Sequence, residues 1–128
     1  MGQYFIIVNL DKKEYLHPHK FNDGLKLLEF GCSSCGTLTA LTLLLRKSNE
    51  SGGGDISIEN DLIGSWAENR IVIIGDYDES KLYNKAQEEY KDISDSILEI
   101  MKEADIVREE NDYTTKSLKP DIVLMAKE

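Results

Sequence analysis

Runs of apolar residues bounded by polar ones predict the strands of this chain. Tyr4–Leu10 (YFIIVNL) is rich in β-branched and aromatic residues and is apolar on both faces, which predicts a central strand. Glu14–His19 (EYLHPH) predicts a second strand at an edge of the sheet, because Pro18 has no N–H to donate to a strand partner. Arg70–Gly75 (RIVIIG) and Asp121–Ala126 (DIVLMA) predict two further strands.

Apolar residues at three- and four-residue spacing predict four helices. Asn22 or Asp23 is placed to cap a short first helix. Thr37–Lys47 (TLTALTLLLRK) predicts a mostly buried helix, because apolar side chains lie on nearly all of its sides. Ser80–Tyr90 and Asp92–Ala104 predict two more helices, and the second of these has one apolar stripe that suits packing on a sheet.

The order of these elements predicts an α/β fold, or a mixed α+β fold, in which a small mixed sheet of about four strands packs with about four helices. A single globular domain over residues 1–128 fits this length, because two parts would each be too small for a good core. The segment SNESGGG predicts a flexible surface loop near 48–54. The only tryptophan, Trp66, is predicted to lie in or at the edge of the core.

The chain is acidic, with 24 Asp and Glu against 15 Lys and Arg and a net charge of −9 at pH 7. The imbalance lies in the second half, since residues 1–60 are nearly neutral. Direct nucleic-acid binding is therefore not expected, because it depends on cationic contacts to phosphates. A solvated acidic face is the simpler interpretation. The alternative is an acidic mimic of nucleic acid that occupies the basic groove of a protein partner.

The sequence predicts a cytoplasmic protein without membrane association. No run approaches the roughly 20 apolar residues of a membrane span, and no secretion signal is recognisable. The two cysteines do not have the spread pattern of a secreted disulfide framework.

Every histidine and cysteine of the chain lies in one window, HPHKFNDGLKLLEFGCSSC, which we call the His–Cys window. Zn²⁺ prefers tetrahedral nitrogen and sulfur donors, and two imidazoles with two thiolates would satisfy it fully. A site with four protein ligands is structural, because it leaves no open position for water or substrate. The window therefore predicts a structural zinc site, with the candidate ligands His17, His19, Cys32 and Cys35.

Other interpretations of the same window stay open. A C-x-x-C loop at a helix N-terminus lowers the pKa of a thiol, which suits a thiol–disulfide or other thiol-dependent enzyme. In that enzyme Cys32 would attack and Cys35 would resolve. The small polar residues at this helix start are also placed to cradle an anion. In the simplest interpretation the histidines are turn residues and the cysteines are small buried side chains.

A second candidate site directly follows the strand RIVIIG. Asp76 and Asp78 at the end of a strand are placed to hold Mg²⁺ and a phosphate, as in a metal-dependent phosphate-handling enzyme. An ordinary turn before a helix is the simpler interpretation. Serine nucleophile elbows, H-E-x-x-H and dinucleotide-binding fingerprints are all missing from the sequence. The pattern thus favours a binding protein over an enzyme.

The opening MGQYFIIVNLDKKEYLHPHKF, with GSWAENRIVIIGDYDES further on, resembles a family of small uncharacterised proteins from bacteria and their viruses. The resemblance covers most of the chain. It implies no activity and no site residues, and it favours a role in host interaction. Together, these observations predict a small acidic binding or regulatory protein with a protein partner of unknown identity and with zinc as the candidate cofactor.

Overall fold

The computed structural model of the chain describes residues 3–48, 58 and 60–106. This part of the chain contains four strands, four α-helices and a 3₁₀ turn at Pro18–Phe21. In chain order, the strands and helices are β1 (Phe5–Asn9), β2 (Glu14–Leu16), α1 (Leu27–Gly31), α2 (Thr37–Leu45), β3 (Ile71–Gly75), α3 (Leu82–Glu89), β4 (Lys91–Asp92) and α4 (Ser94–Glu103). The prediction of one small domain with a mixed sheet and helices is confirmed, in its α+β form.

β1 is the central strand, as its apolar sequence predicts. The sheet order is β3-β1-β2-β4. β1 pairs antiparallel with both of its neighbours, whereas β2 and β4 are parallel, so the sheet is mixed. Residues Ile6 to Asn9 of β1 are buried because the strand has partners on both sides and helices over both faces.

The prediction of an edge strand at Glu14–His19 is wrong in two respects. β2 ends at Leu16, because Pro18 begins the 3₁₀ turn. The strand is also not at an edge, since β4 pairs beyond it through Glu14 and Tyr15.

The two faces of the sheet carry separate apolar clusters. The face of β1 that bears Ile7 packs against α2 and α4, with Leu44 and Ile97 fully buried between the layers. The opposite face, which bears Ile6 and Val8, packs against α3. α4 is amphipathic, as predicted, and its apolar stripe lies in the first of these clusters.

Trp66 is fully buried in the larger cluster, which confirms the core prediction for it. The segment around it is irregular and crosses the C-terminal end of α2, where the N–H groups of Gly64 and Trp66 donate to the carbonyls of Leu43 and Leu44. The indole Nε1–H donates to Glu14 Oε1 at 2.7 Å. The large apolar ring therefore fills the core while its polar atom has a partner.

Three helices begin later than the capping residues predict. The 3₁₀ turn ends at Asn22 in the left-handed conformation, and α1 begins only at Leu27. Lys81 is also left-handed, with φ of 62°, and α3 follows it. Asp92, the predicted cap of the last helix, belongs to β4, and Ile93 is the N-cap of α4 instead; the Asp92 carboxylate still accepts the N–H of Ser94, the first residue of α4, at 2.9 Å.

Two predicted features cannot be compared with the structure. Most of the predicted loop near 48–54 and the whole predicted strand Asp121–Ala126 lie outside the described residues. Within the described part, no helix is long and apolar enough to cross a membrane.

Candidate binding cleft and the His–Cys window

The two histidines lie side by side at the start of the 3₁₀ turn. Their ring centroids are 5.1 Å apart and the ring planes are tilted by 50°. His17 is the N-cap of the turn, and its Nδ1 accepts the backbone N–H of His19 at 3.3 Å. The backbone N–H of His17 donates to Ser94 Oγ at 2.8 Å, and this bond fixes the turn to the start of α4. The imidazoles are thus adjacent, but by a turn and not on the predicted extended strand.

His17 is half-buried and His19 is exposed. Burial lowers the pKa of His17 below its ordinary value, and the electrostatic effect of the neighbouring His19 lowers it further, while Asp92 acts in the opposite direction. His17 is therefore neutral over a wider pH range in the folded protein than in the unfolded chain.

The depressed pKa predicts a loss of stability in weak acid. The ordinary pKa of histidine is about 6.5, and below this pH the unfolded chain binds more protons than the folded protein. The contribution of His17 to stability is therefore present above this pH and is lost as pH falls below it. We expect His17→Asn, whose amide oxygen can still accept the N–H of His19, to flatten the pH dependence of the free energy of unfolding between about pH 7.5 and pH 5.

Urea denaturation at several pH values measures this effect. The matched control is His19→Gln, which removes the exposed imidazole and leaves the N-cap in place. Identical pH profiles for wild type and His17→Asn would show that burial of the His17 ring does not contribute.

Asp23 joins the two halves of the window. This residue is only 4% exposed, and its Oδ2 accepts both the backbone N–H of Thr37 at 2.8 Å and the Thr37 hydroxyl at 2.7 Å. Thr37 is the first residue of α2, so the helix N-terminus is capped by a carboxylate from far back in the chain. The sequence predicts, as one alternative, that an anion binds at the N-terminus of α2. In the structure the Asp23 carboxylate occupies this position.

Gly36 is required for this close approach. A Cβ at Gly36 would lie 2.5 Å from one Asp23 carboxylate oxygen and 2.7 Å from Ser33 Oγ. The C-x-x-C loop is therefore drawn against Asp23, which fixes the position of the loop relative to the 3₁₀ turn.

The two cysteines are free thiols in this loop. Cys32 follows α1, where its N–H donates to the carbonyl of Leu28, and its side chain is exposed. Cys35 is partly buried and left-handed, with φ of 54°. Both residues precede α2, and Cys32 is the farther of the two. The α2 dipole, which acts within about one turn, reaches Cys35 better than Cys32, the predicted attacking thiol.

The described residues do not contain a ready metal centre. Across residues 3–48, 58 and 60–106, no three His, Cys, Asp or Glu side chains are grouped so that they could hold an ion. The four-ligand zinc site at His17, His19, Cys32 and Cys35 therefore stays a prediction.

A cleft of about 480 Å³ opens beside the exposed histidine. We call it the acidic cleft, and its lining residues are His19, Asn22, Asp23, Gly24 and Glu29. Glu29 is held over Gly24, because its Oε1 accepts the N–H of Lys26 at 3.0 Å and a Cβ at Gly24 would collide with it. The cleft thus has two acidic residues, a histidine and an asparagine in its lining, and no lysine or arginine among the described residues lines it.

Sequence reasoning gave Asp23 only a capping role and missed Glu29 altogether. Gly24 was the available signal, since a glycine beside an aspartate permits a close approach that a side chain would prevent. The spacing of Asp23, Gly24 and Glu29 does not by itself show that the chain folds back into a cleft.

Asp76 and Asp78 have local structural roles. Asp76 Oδ1 accepts the N–H of Tyr4 at 3.1 Å, which extends the pairing of β1 and β3. Asp78 Oδ2 accepts the N–H of Ser80 at 3.0 Å, and hydrogen bonds from Ser80 lower the pKa of the Asp78 carboxyl. These contacts favour the turn interpretation over a magnesium and phosphate site.

No protein-family model, curated protein or solved structure matches this chain. The resemblance to small bacterial and viral proteins therefore stays a prediction, and the function has to be argued from the geometry alone.

Proposed function

We propose that this chain is a small acidic binding protein whose acidic cleft receives a positively charged group of a partner. The observation that carries the proposal is the composition of the cleft, whose lining contains the exposed Glu29 and the largely buried Asp23 and, within the described part of the chain, no lysine or arginine. Carboxylate oxygens accept charge-assisted hydrogen bonds from an ammonium or guanidinium group.

The arrangement of charges around the cleft supports this assignment. Lys20 belongs to the same turn, but its Nζ lies 3.1 Å from Asp95 and 3.6 Å from Asp92, so its charge is directed toward α4. The net charge of −9 adds a long-range attraction for a basic partner, which raises the association rate at low ionic strength. The predicted cytoplasmic, reducing environment is compatible with the two free thiols.

Titration with a short capped lysine peptide, followed by NMR of backbone amides, tests the proposal. We expect shifts at His19, Asn22 and Gly24, and weaker binding as salt is raised. Glu29→Gln should weaken binding by about twofold to fivefold, the size of one partly exposed charge pair, because glutamine keeps an oxygen for the Lys26 N–H but loses the charge.

The matched control is Glu88→Gln, an equal charge change on the exposed side of α3. Because Glu88 lies outside the cleft, we expect Glu88→Gln to change the affinity by well under about twofold. Equal weakening by both variants would mean that the peptide responds to net charge and not to the cleft.

Structural zinc in the His–Cys window is the second candidate, and the adjacency of the two imidazoles favours it. Binding through Nε2 of His17 would require Nδ1 to carry the ring proton, so its bond from the His19 N–H would break. The C-x-x-C loop would also have to move toward the turn, since these residues form no group able to hold an ion as they stand in the described chain.

Elemental analysis of the purified protein, with thiol titration before and after chelation, tests the zinc proposal. One equivalent of zinc and two masked thiols are expected if all four residues bind. Two reactive thiols without metal would refute it, and a readily cycled disulfide between Cys32 and Cys35 would instead support the thiol-dependent alternative.

A further inference from the structure

The outer edge of β3 is unpaired in the described sheet. Paired residues with mutual hydrogen bonds recur every second position in an antiparallel ladder. The bonds from Leu10 N–H to the Arg70 carbonyl and from Asp76 N–H to the Tyr4 carbonyl fix this alternation for β1 and β3. It follows that Val72 and Ile74 turn their backbone groups toward β1, whereas Ile71 and Ile73 turn theirs outward.

This edge also exposes apolar side-chain surface. Ile73 is 41% exposed, although its partner across the ladder, Ile7, is fully buried. Natural sheets protect a free edge with lysine, proline, a bulge or a covering segment. β3 has the sequence IVIIG and contains neither lysine nor proline, so we expect another segment to cover it.

The sequence contains a segment that matches β3 position by position. Residues 70–76 read RIVIIGD and residues 121–127 read DIVLMAK. The five central positions are apolar or small in both segments, and the end charges are exchanged. Laid parallel to β3, the segment places Asp121 beside Arg70 and Lys127 beside Asp76. Laid antiparallel, it places like charges together at both ends, which is unfavourable for cross-strand neighbours.

We propose that residues 121–127 dock on the outer edge of β3 as a parallel fifth strand, with Leu124 opposite Ile73. Both segments are nearly continuous apolar runs, which is the usual composition of parallel strands covered on both faces. A parallel pair needs a long crossover, and the chain from β3 to residue 121 includes α3, β4 and α4. The segment 107–120 can extend on the order of 45 Å, enough to reach either edge of a domain of this size.

The other sheet edge and a second copy of the chain fit less well. β4 has only two residues, Lys91 and Asp92, and offers too short a ladder for an apolar run of five. A second copy could pair its β3 antiparallel about Ile73. A segment of the same chain, however, acts at an effective concentration near the millimolar range and needs no association of two molecules that each carry a charge of −9.

Amide hydrogen exchange of the full-length chain tests the docking. In the proposed register Ile73 N–H donates to the Val123 carbonyl, so we expect Ile71 and Ile73 to exchange at least about tenfold more slowly than open amides. Val123→Pro removes an N–H that faces β3 and should abolish this protection. Leu124→Pro is the matched control, because the Leu124 N–H faces away from β3 and proline is tolerated at such a position.

Each other outcome overturns the proposal. Rapid exchange of Ile71 and Ile73 in the wild type would mean that the edge is open. Protection that depends on protein concentration and survives Val123→Pro would identify a second copy as the occupant. Loss of protection with Leu124→Pro instead of Val123→Pro would refute the register. Unchanged slow exchange of Val72 and Ile74, which face β1, shows in every variant that the domain is still folded.

Discussion

Replacement of Trp66 by alanine is expected to lower the free energy of unfolding by about 3–5 kcal/mol, the range for a large aromatic side chain removed from a packed core. Trp66 is fully buried in the larger apolar cluster, and its segment is fixed by the backbone bonds from Gly64 and Trp66 to the end of α2. Rigid surroundings collapse poorly into a cavity, which places this substitution in the upper part of the range.

Trp66→Phe is the matched variant. It keeps an aromatic ring but removes the donor to Glu14 Oε1, so we expect a smaller loss of about 1–2 kcal/mol. Urea denaturation followed by far-ultraviolet circular dichroism measures both variants, because the only tryptophan is removed as a fluorophore. A loss below about 1 kcal/mol for Trp66→Ala would contradict the buried position of the ring.

Asp23→Ala is expected to cost about 3 kcal/mol, since it removes a buried charged acceptor and leaves the N–H and hydroxyl of Thr37 without it at the start of α2. Asp23→Asn retains an acceptor oxygen for Thr37 and loses only the charge, so about 1 kcal/mol is expected. The difference between the two variants, measured by urea denaturation, separates the hydrogen bonds from the helix dipole.

The same pair of variants reports on the C-x-x-C loop. Because Gly36 lies directly against the Asp23 carboxylate, we expect loss of this side chain to release the loop. We expect Cys35, which is partly buried, to react faster with a thiol reagent in Asp23→Ala than in Asp23→Asn. Equal rates in wild type and Asp23→Ala would show that Asp23 does not hold the loop.

Much of the fold follows from local pattern. The strand cores at residues 5–9 and 71–75, the helices α2 and α4, and the burial of Trp66 are all encoded by short-range periodicity and side-chain type. The burial of Asn9 is not encoded in this way. This residue is fully buried because its side chain bonds Asp11 and Lys12 in the β1–β2 turn and Asn69 from a distant segment. A polar residue inside an apolar run gives no sign of such partners.

The features of the candidate site also differ in whether local sequence or tertiary structure determines them. The sequence alone determines that every histidine and cysteine lies in one short window, that the chain is strongly acidic, and that the segments around Ile73 and Leu124 carry matching apolar runs with exchanged end charges. These features can be read from the sequence because they depend on residue identity and order, and not on contacts between distant segments.

Tertiary structure alone decides which of these residues act together. Pro18 begins a turn that sets the two imidazoles beside each other, and Asp23 reaches across to α2 and occupies the anion position predicted there. Glu29 closes over Gly24 and completes the acidic cleft. The contact of Asp23 with α2 joins separate elements of the fold, where burial and hydrogen-bond satisfaction outweigh local preference.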